Sequence, residues 1–212
     1  MAKKIILVGG GGHCKVIIDA IRKSKEFDII GITDPQLVGQ KISGIPVLGN
    51  DDELPSLFKE GVKYAFIGVG SVGDCTARKN IDANLNRIGF ELPVIVHPKA
   101  VVGSDVELGK GTFVAAGAVI NPGVKTGMNV IVNTCASIDH DCVMGDFAHI
   151  APGVTLSGGV SVGDETHIGT GANVVQNIKI GKRCMISAGF TVFRDVADES
   201  KARLSVAYAD EK

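Results

Sequence analysis

Aromatic residues are scarce in this sequence, and tryptophan is absent. Of 212 residues, 5% are aromatic, whereas 28 are glycine and 45% are hydrophobic. Such a composition argues against a helical bundle and indicates an aliphatic core enclosed by many tight turns. The formal net charge is −1, so the chain has no basic field that would attract nucleic acid or an anionic membrane.

Closely spaced cysteines and long apolar runs are also missing. The five cysteines include no CxxC pair, which predicts reduced, mostly buried thiols rather than a disulfide framework or a zinc site. No apolar run approaches the roughly 20 residues that a membrane span needs. The opening MAKKIILVGG is too short and too rich in glycine for a signal peptide. We therefore expect a cytoplasmic protein with no nucleic-acid or membrane partner.

The first part of the chain, from 3 to about 89, alternates short aliphatic strands with amphipathic helices. Strands are predicted over 5–8, 29–33 and 64–69, and apolar residues at helical spacing follow the first and the third of them. This βαβ order predicts a small parallel sheet with helices on its faces.

From residue 96 onward the sequence repeats with a period of six. Every sixth position from Val102 to Val192 is aliphatic except Thr126. These positions are Val102, Leu108, Val114, Ile120, Thr126, Val132, Ile138, Met144, Ile150, Leu156, Val162, Ile168, Val174, Ile180, Ile186 and Val192. A six-residue period over this length is typical of a parallel β-helix, in which three units form one triangular coil. We therefore expect an all-β second part.

Stacking of the coils gives His140 its predicted surroundings. Residues one coil apart lie one above the other at roughly 4.8 Å, so His140 would project from a corner between Pro122 and Gly158. Either Asp139 or Asp141 could fix the tautomer of the imidazole. An exposed imidazole beside an acid is suited to general base catalysis near neutral pH. The alternative is a surface histidine with no catalytic role.

His149 and His167 form a second pair that should stack on one strip of the coil. Two stacked imidazoles suggest a metal site, but no third ligand is evident, so we expect no metal. Each of the two could instead line a cofactor groove or simply be exposed. Cys142 falls on an inward position, which argues against a covalent acyl-cysteine.

A glycine turn, GGGGH, separates the first strand from the first helix. Backbone N–H groups at such a helix start are suited to binding a phosphate. The match to the dinucleotide fingerprint is weak, because Cys14 stands at the third glycine position. Asp34 ends the second strand, where it could accept ribose or base hydroxyls. The alternative is a turn that only closes the sheet.

The motif NTCASIDHDCVMGDFAHIAPGVTLSGGVSVG, at 133–163, resembles a known family. Together with the Gly-Gly-His turn, it is similar to the sugar O- and N-acetyltransferases that act on sialic acid and UDP-4-amino-sugars, the NeuD/PglD group. The resemblance implies a Rossmann-like domain over 1–95, a left-handed β-helix over 96–197 and a tail over 198–212. It also implies a homotrimer with active sites between subunits, and acetyl-CoA as co-substrate.

The resemblance also assigns residues. It implies that His140 is the catalytic base and that Asp141 is its orienting acid. His149 and Gly158 would contact acetyl-CoA, and the Gly158 N–H would face the thioester oxygen. The sugar nucleotide would contact Gly10, Gly11, Gly12, His13, Asp34, Gly68 and Asn133. Relatives usually end in a Gly-x-Pro-Ala segment that contacts the coenzyme, and this chain lacks it.

The expected reaction is transfer of an acetyl group to the amine of a nucleotide-linked amino sugar of the UDP-4-amino-sugar type. One alternative is an O-acetyltransferase of sialic acid or another sugar, whose sequence would be nearly the same. An alternative from another class is a non-catalytic β-helical scaffold or sugar-binding protein. A zinc hydratase is a third, which bound metal would reveal.

Overall fold

A five-stranded sheet with helices on both faces forms the first part of the chain. The computed structural model describes residues 2–202. The elements here are β1 (Lys3–Val8), α1 (Gly12–Ser24), β2 (Phe27–Thr33), β3 (Lys41–Ile42), β4 (Ile45–Gly49), a 3-10 helix (Asp51–Glu53), α2 (Leu54–Lys59), β5 (Tyr64–Ile67) and α3 (Thr76–Ile88). The strand order is β3-β4-β2-β1-β5, and only the β3–β4 pair is antiparallel. The expected parallel sheet is therefore present, with an added hairpin at one edge.

The second part is a three-sided coil of very short parallel strands. Its strands are β6 (Ile95–Val96), β7 (Val101–Val102), β8 (Phe113–Val114), β9 (Val119–Ile120), β10 (Lys125–Thr126), β11 (Ile131–Val132), β12 (Ser137–Ile138), β13 (Val143–Met144), β14 (His149–Ile150), β15 (Thr155–Leu156), β16 (Ser161–Val162), β17 (His167–Ile168), β18 (Asn173–Val174), β19 (Lys179–Ile180), β20 (Met185–Ile186), β21 (Thr191–Val192) and β22 (Lys201–Ala202). We call its three sheets the docked face (β6, β8, β11, β14, β17, β20, β22), the uncharged face (β7, β9, β12, β15, β18, β21) and the lysine face (β10, β13, β16, β19).

Register between coils follows the six-residue repeat. Ile138 pairs with Leu156, and Val174 pairs with Val192, so each residue lies over the one three units earlier. The second residue of each strand points inward, where Ile120, Ile138 and Leu156 are at most 1% exposed. The sequence prediction of an aliphatic core is therefore confirmed.

The β-helix ladder extends from Ile95 to Ala202 among the described residues. The division of the chain at 95/96 and 197/198 stays a prediction, since strand pairing alone does not define a domain. Most of the predicted tail, 203–212, lies outside the described residues.

The two parts pack together through an apolar interface and a polar one. On the docked face, the outward side chains of Phe113 and Ile131 join the core formed by β1 and α1. Farther along the contact, α3 donates a hydrogen bond from buried Arg78 to the carbonyl of Asn129. Lys79 on the same helix lies 2.8 Å from the Glu165 carboxylate. The first part therefore contacts the coil at several positions along the coil axis.

Replacement of Phe113 should destabilise the whole protein. Phe113 is 1% exposed and packs edge-on against His13 and Phe66. We expect Phe113→Ala to lower the free energy of unfolding by about 3–5 kcal/mol, because it leaves a cavity between the two parts. Urea unfolding followed by circular dichroism measures the change.

A matched control is Phe193→Ala, since that ring is 73% exposed. It should change the free energy of unfolding by no more than about 0.5 kcal/mol. Equal effects of the two substitutions would show that the apolar interface does not hold the parts together.

Candidate active site

His140 projects from the corner that follows β12, as the repeat predicted. Its side chain is 62% exposed, and its Nδ1 lies 2.8 Å from Oδ2 of Asp141. Nδ1 therefore carries the proton and donates to the carboxylate, which leaves the lone pair of Nε2 free to accept a proton. The sequence left Asp139 and Asp141 open as partners of the ring, and the geometry selects Asp141.

Asp139 serves the backbone of the same corner. Its Oδ1 accepts hydrogen bonds from the His140 N–H and from Nδ2 of Asn121, each at 2.8 Å. The hydrogen bond to Asp141, together with the charge of Asp139, raises the pKa of His140 above its ordinary value. A base with a raised pKa holds an accepted proton more tightly, which suits it to remove one from a weak acid.

Gly158 lies directly against the imidazole. A Cβ added to Gly158 would lie 2.6 Å from Nε2 of His140, and the glycine is itself buried. The imidazole therefore fills the space that a side chain at 158 would occupy. Gly158 N–H donates to no protein acceptor within residues 2–202.

A cleft of about 370 Å³ lies where the GGGGH turn and a second glycine turn, GVGSVG at 68–73, meet the docked face. Its lining residues are Gly12, His13, Val16, Gly70, Ser71, Val72, Asn133 and His149. The cleft thus brings together three residues predicted for the sugar nucleotide, Gly12, His13 and Asn133. His149, predicted to contact acetyl-CoA, also lies here rather than beside His140.

His149 is fixed in one tautomer by its neighbours. Its Nδ1 lies 2.6 Å from the carbonyl oxygen of Ser71, so Nδ1–H donates and Nε2 accepts from the Asn133 amide at 3.2 Å. Burial lowers the pKa of His149 to about 3. His167 stacks edge-on against it, with the ring centroids 4.7 Å apart. The stacking expected from the repeat is confirmed, and His149 is a neutral acceptor on the wall of the cleft.

His13 is also neutral. Burial, with a smaller contribution from the charge of Arg78, lowers its pKa to about 4. Asp34 lies behind the same turn, where its Oδ2 accepts the Gly10 N–H at 2.8 Å. The Asp34 carboxylate therefore closes part of the glycine turn, and neither Asp34 nor Gly10 is among the cleft-lining residues.

Other glycines act through close packing or open space. A Cβ on Gly68 would collide with the backbone oxygen of Gly9, so this position brings the two turns together. Gly11 and Gly12 have open space where a side chain would be. Ser71 and Val72 line the cleft but are not among the predicted site residues, although loops after neighbouring parallel strands meet at one edge of a sheet.

His140 is not among the residues that line this cleft within one chain. The predicted site residues thus form two groups, the His140–Asp141–Gly158 corner and the cleft between the parts. Within residues 2–202, no three His, Cys, Asp or Glu side chains are grouped to hold a metal ion. No helix among these residues has the length and apolar character to cross a membrane.

A hexapeptide β-helix with an α/β unit packed beside it places the chain among the hexapeptide-repeat acyltransferases, which the comparisons with known proteins support. The family described as the PglD N-terminal domain matches residues 4–85. The GDP-perosamine N-acetyltransferase of Escherichia coli O157:H7 is 27% identical over 125 residues, 59% of this chain. That match spans 54% of the length of this curated relative.

Solved structures are similar over nearly the whole chain. A mutant perosamine N-acetyltransferase from Caulobacter crescentus, crystallised with CoA and GDP-perosamine, is 36% identical with a TM-score of 0.89. That match covers 95% of this chain and 93% of the other. The acetyltransferase domain of PglB from Neisseria gonorrhoeae FA1090 is 34% identical, with a TM-score of 0.88 and coverage of 94% and 95%.

The chain belongs to the PglD-type family of sugar acetyltransferases. Its two parts are a Rossmann-like α/β unit and a left-handed parallel β-helix, as the resemblance implied.

His140 and His149 should titrate differently. Within pH 5–8, we expect His140 to titrate with a pKa above its ordinary value of 6.5. His149 should stay neutral as the Nδ1–H tautomer, because protonation would place a charge in a buried position. Long-range ¹H–¹⁵N spectra of the imidazoles measure both. Titration of His149 within this range would contradict the geometry of the cleft.

Proposed function

We propose that this protein transfers an acetyl group from acetyl-CoA to the amine of a nucleotide-linked amino sugar, with His140 as general base. The observation that carries the proposal is the exposed imidazole whose Nδ1 is held by Asp141 at 2.8 Å. The perosamine N-acetyltransferase of the same family, crystallised with CoA and GDP-perosamine, supports the substrate classes. A PglB acetyltransferase domain crystallised with acetyl coenzyme A supports the donor.

In the proposed reaction, Nε2 of His140 takes the proton that the acceptor amine loses. The amine nitrogen forms a bond to the thioester carbonyl carbon, and the carbon–sulfur bond then breaks. His140 returns the proton to the departing sulfur, so that free CoA leaves as the thiol. Positioned acid–base help of this kind contributes about 10²–10⁴-fold in rate.

Gly158 fits the role of oxyanion donor. Its N–H is without a protein acceptor among the described residues and lies one rung above the base. Removal of one such donor costs about 2.7–4 kcal/mol in known enzymes. Approach to this N–H requires a small displacement of the imidazole, because the ring covers Gly158 in the structure.

The strip above His140 fits an extended coenzyme. By the pairing register, Gly158, Gln176 and Arg194 follow His140 one coil apart each. Arg194 and Lys201 line a cavity of about 610 Å³ at the end of the coil. A guanidinium and an ammonium there suit the phosphates of CoA, with the thioester two coils away near Gly158.

The acceptor fits the cleft between the two parts. Neutral His149 holds the Asn133 amide through Nε2, which leaves the second amide hydrogen of Asn133 for a sugar hydroxyl. The free N–H groups at the start of α1 suit the diphosphate. We propose GDP-perosamine as the first substrate to test, because two relatives bear its name. The UDP-4-amino-sugars implied by the sequence are its rivals.

Because His140 does not line its own chain's cleft, we propose a homotrimer in which a neighbouring copy completes the site. The uncharged face presents Val101, Val119, Ser137, Thr155, Asn173 and Thr191 outward. The lysine face presents Lys125 and Lys179 instead. Interface cores are depleted of charge, and the uncharged face leads directly into the His140 corner.

Replacement of His140 tests the base. His140→Ala should lower kcat by about 10²–10⁴-fold, because no other group takes the proton. Thiol release from acetyl-CoA with GDP-perosamine, UDP-4-amino-sugars and sialic acid measures turnover. Binding of CoA, measured by calorimetry, should stay within about twofold. Unchanged turnover in the variant would rule out this assignment, and turnover with sialic acid alone would make the protein an O-acetyltransferase.

A matched pair of valines tests the trimer. Val101 and Val143 are 61% and 47% exposed and lie on the uncharged face and the lysine face. Val101→Lys should shift the trimer towards monomer in sedimentation and lower activity, because it buries a charge. Val143→Lys should change neither. Dissociation by Val143→Lys alone would place the interface on the other face.

A further inference from the structure

We propose that Asn121 and Gly123, on the coil preceding His140, are positioning residues for the catalytic base. Asn121 holds the backbone of the His140 corner through Asp139, and Gly123 leaves the space that the Asp141 carboxylate occupies. The proposal rests on the proposed function, since it assigns the parts that make His140 an effective base.

The first contact consists of two hydrogen bonds that share one acceptor oxygen. Nδ2 of Asn121 donates to Oδ1 of Asp139 at 2.8 Å, and the same oxygen accepts the His140 N–H at 2.8 Å. Asn121 and Asp139 are both partly buried and lie in register one coil apart. These two bonds fix the peptide from which the imidazole projects, so the ring keeps one direction relative to the coil.

The second contact concerns space. Asp141 has a φ of 60°, which turns its carboxylate back towards the preceding coil. A Cβ on Gly123 would lie 2.7 Å from Oδ1 of Asp141, closer than side chains allow. The missing side chain at 123 therefore permits the carboxylate orientation that places Oδ2 on the imidazole.

Conformation alone does not explain a glycine at 123. Its φ is +76°, but the stacked position three coils later is Asn177, at a φ of 59°. Asparagine tolerates this left-handed region. The requirement at 123 is therefore the open space beside Asp141 rather than the backbone angle.

The charges around the ring agree with this arrangement. The groups that raise the pKa of His140 are Asp141, through its hydrogen bond, and Asp139, through its charge. The neighbouring coil positions, Pro122 and Gly158, carry no charge. Loss of either aspartate's orientation should therefore move the acid limb of the kcat profile to lower pH.

Two substitutions test the two contacts. Asn121→Leu removes the donor at similar volume, and Gly123→Asn keeps a residue that accepts the backbone angle but fills the space. We expect kcat to fall at least about tenfold in each, with KM changed less than about twofold, because the base is misoriented. In Gly123→Asn, the pKa of His140 measured by imidazole NMR without substrate should fall towards its ordinary value.

The matched control is Gly171→Asn. Gly171 has a φ of 66°, but a Cβ there would meet nothing within 4 Å. This variant should keep kcat, KM and the pH profile. Thermal melting of all three variants checks that each is folded.

The outcomes separate the two proposals. Full activity of His140→Ala would overturn the proposed function itself. An inactive His140→Ala, with Asn121→Leu and Gly123→Asn that keep the parent kcat and His140 pKa, would overturn the positioning roles alone. Equal losses of kcat in Gly123→Asn and Gly171→Asn would also overturn the role of Gly123. They would show that asparagine lowers activity at any left-handed glycine of the coil, with or without a carboxylate beside it.

Discussion

The hydrogen-bond ladder between successive coils is the constraint on which the rest of the structure depends. Gly159 N–H donates to the His140 carbonyl and Asn177 N–H to that of Gly158, each at 2.9 Å. Since the carbonyl groups of this corner accept hydrogen bonds from the next coil, the coil cannot shift to relieve a crowded side chain. At this corner, a large side chain therefore needs a small one in the next coil. An imidazole at 140 requires a glycine at 158.

The outward residues of the docked face change from apolar to polar along the coil axis. Its outward residues are Phe113 and Ile131 on the early coils, then His149 and His167 on the later ones. The early residues bury apolar area against the α/β part and supply stability. Of the later ones, His149 contacts the second glycine turn through its hydrogen bond to the Ser71 carbonyl, and His167 packs on the His149 ring. One face of the coil thus provides both an apolar contact and a polar one.

The six-residue period predicted the inward residues and the position of His140, because register in a solenoid is set by the repeat alone. It could not choose between Asp139 and Asp141, since that choice depends on the left-handed φ of Asp141. The hairpin formed by β3 and β4 was missed, because strands this short carry no clear alternation. The filled space at Gly158 depends on a side-chain rotamer, which a stacking argument does not include.

His140 and His149 show how one coil produces two histidines with opposite chemistry. His140 stands at an exposed corner between two carboxylates, so its protonated form is favoured. His149 is only 7% exposed, and its Nδ1–H donates to a backbone carbonyl, so its neutral form is favoured. The environments separate the proton affinities before any substrate binds. In the proposed acetylation, His140 would accept a proton, and neutral His149 would hold the Asn133 amide in the cleft. The rigid ladder keeps them at a fixed spacing within each chain.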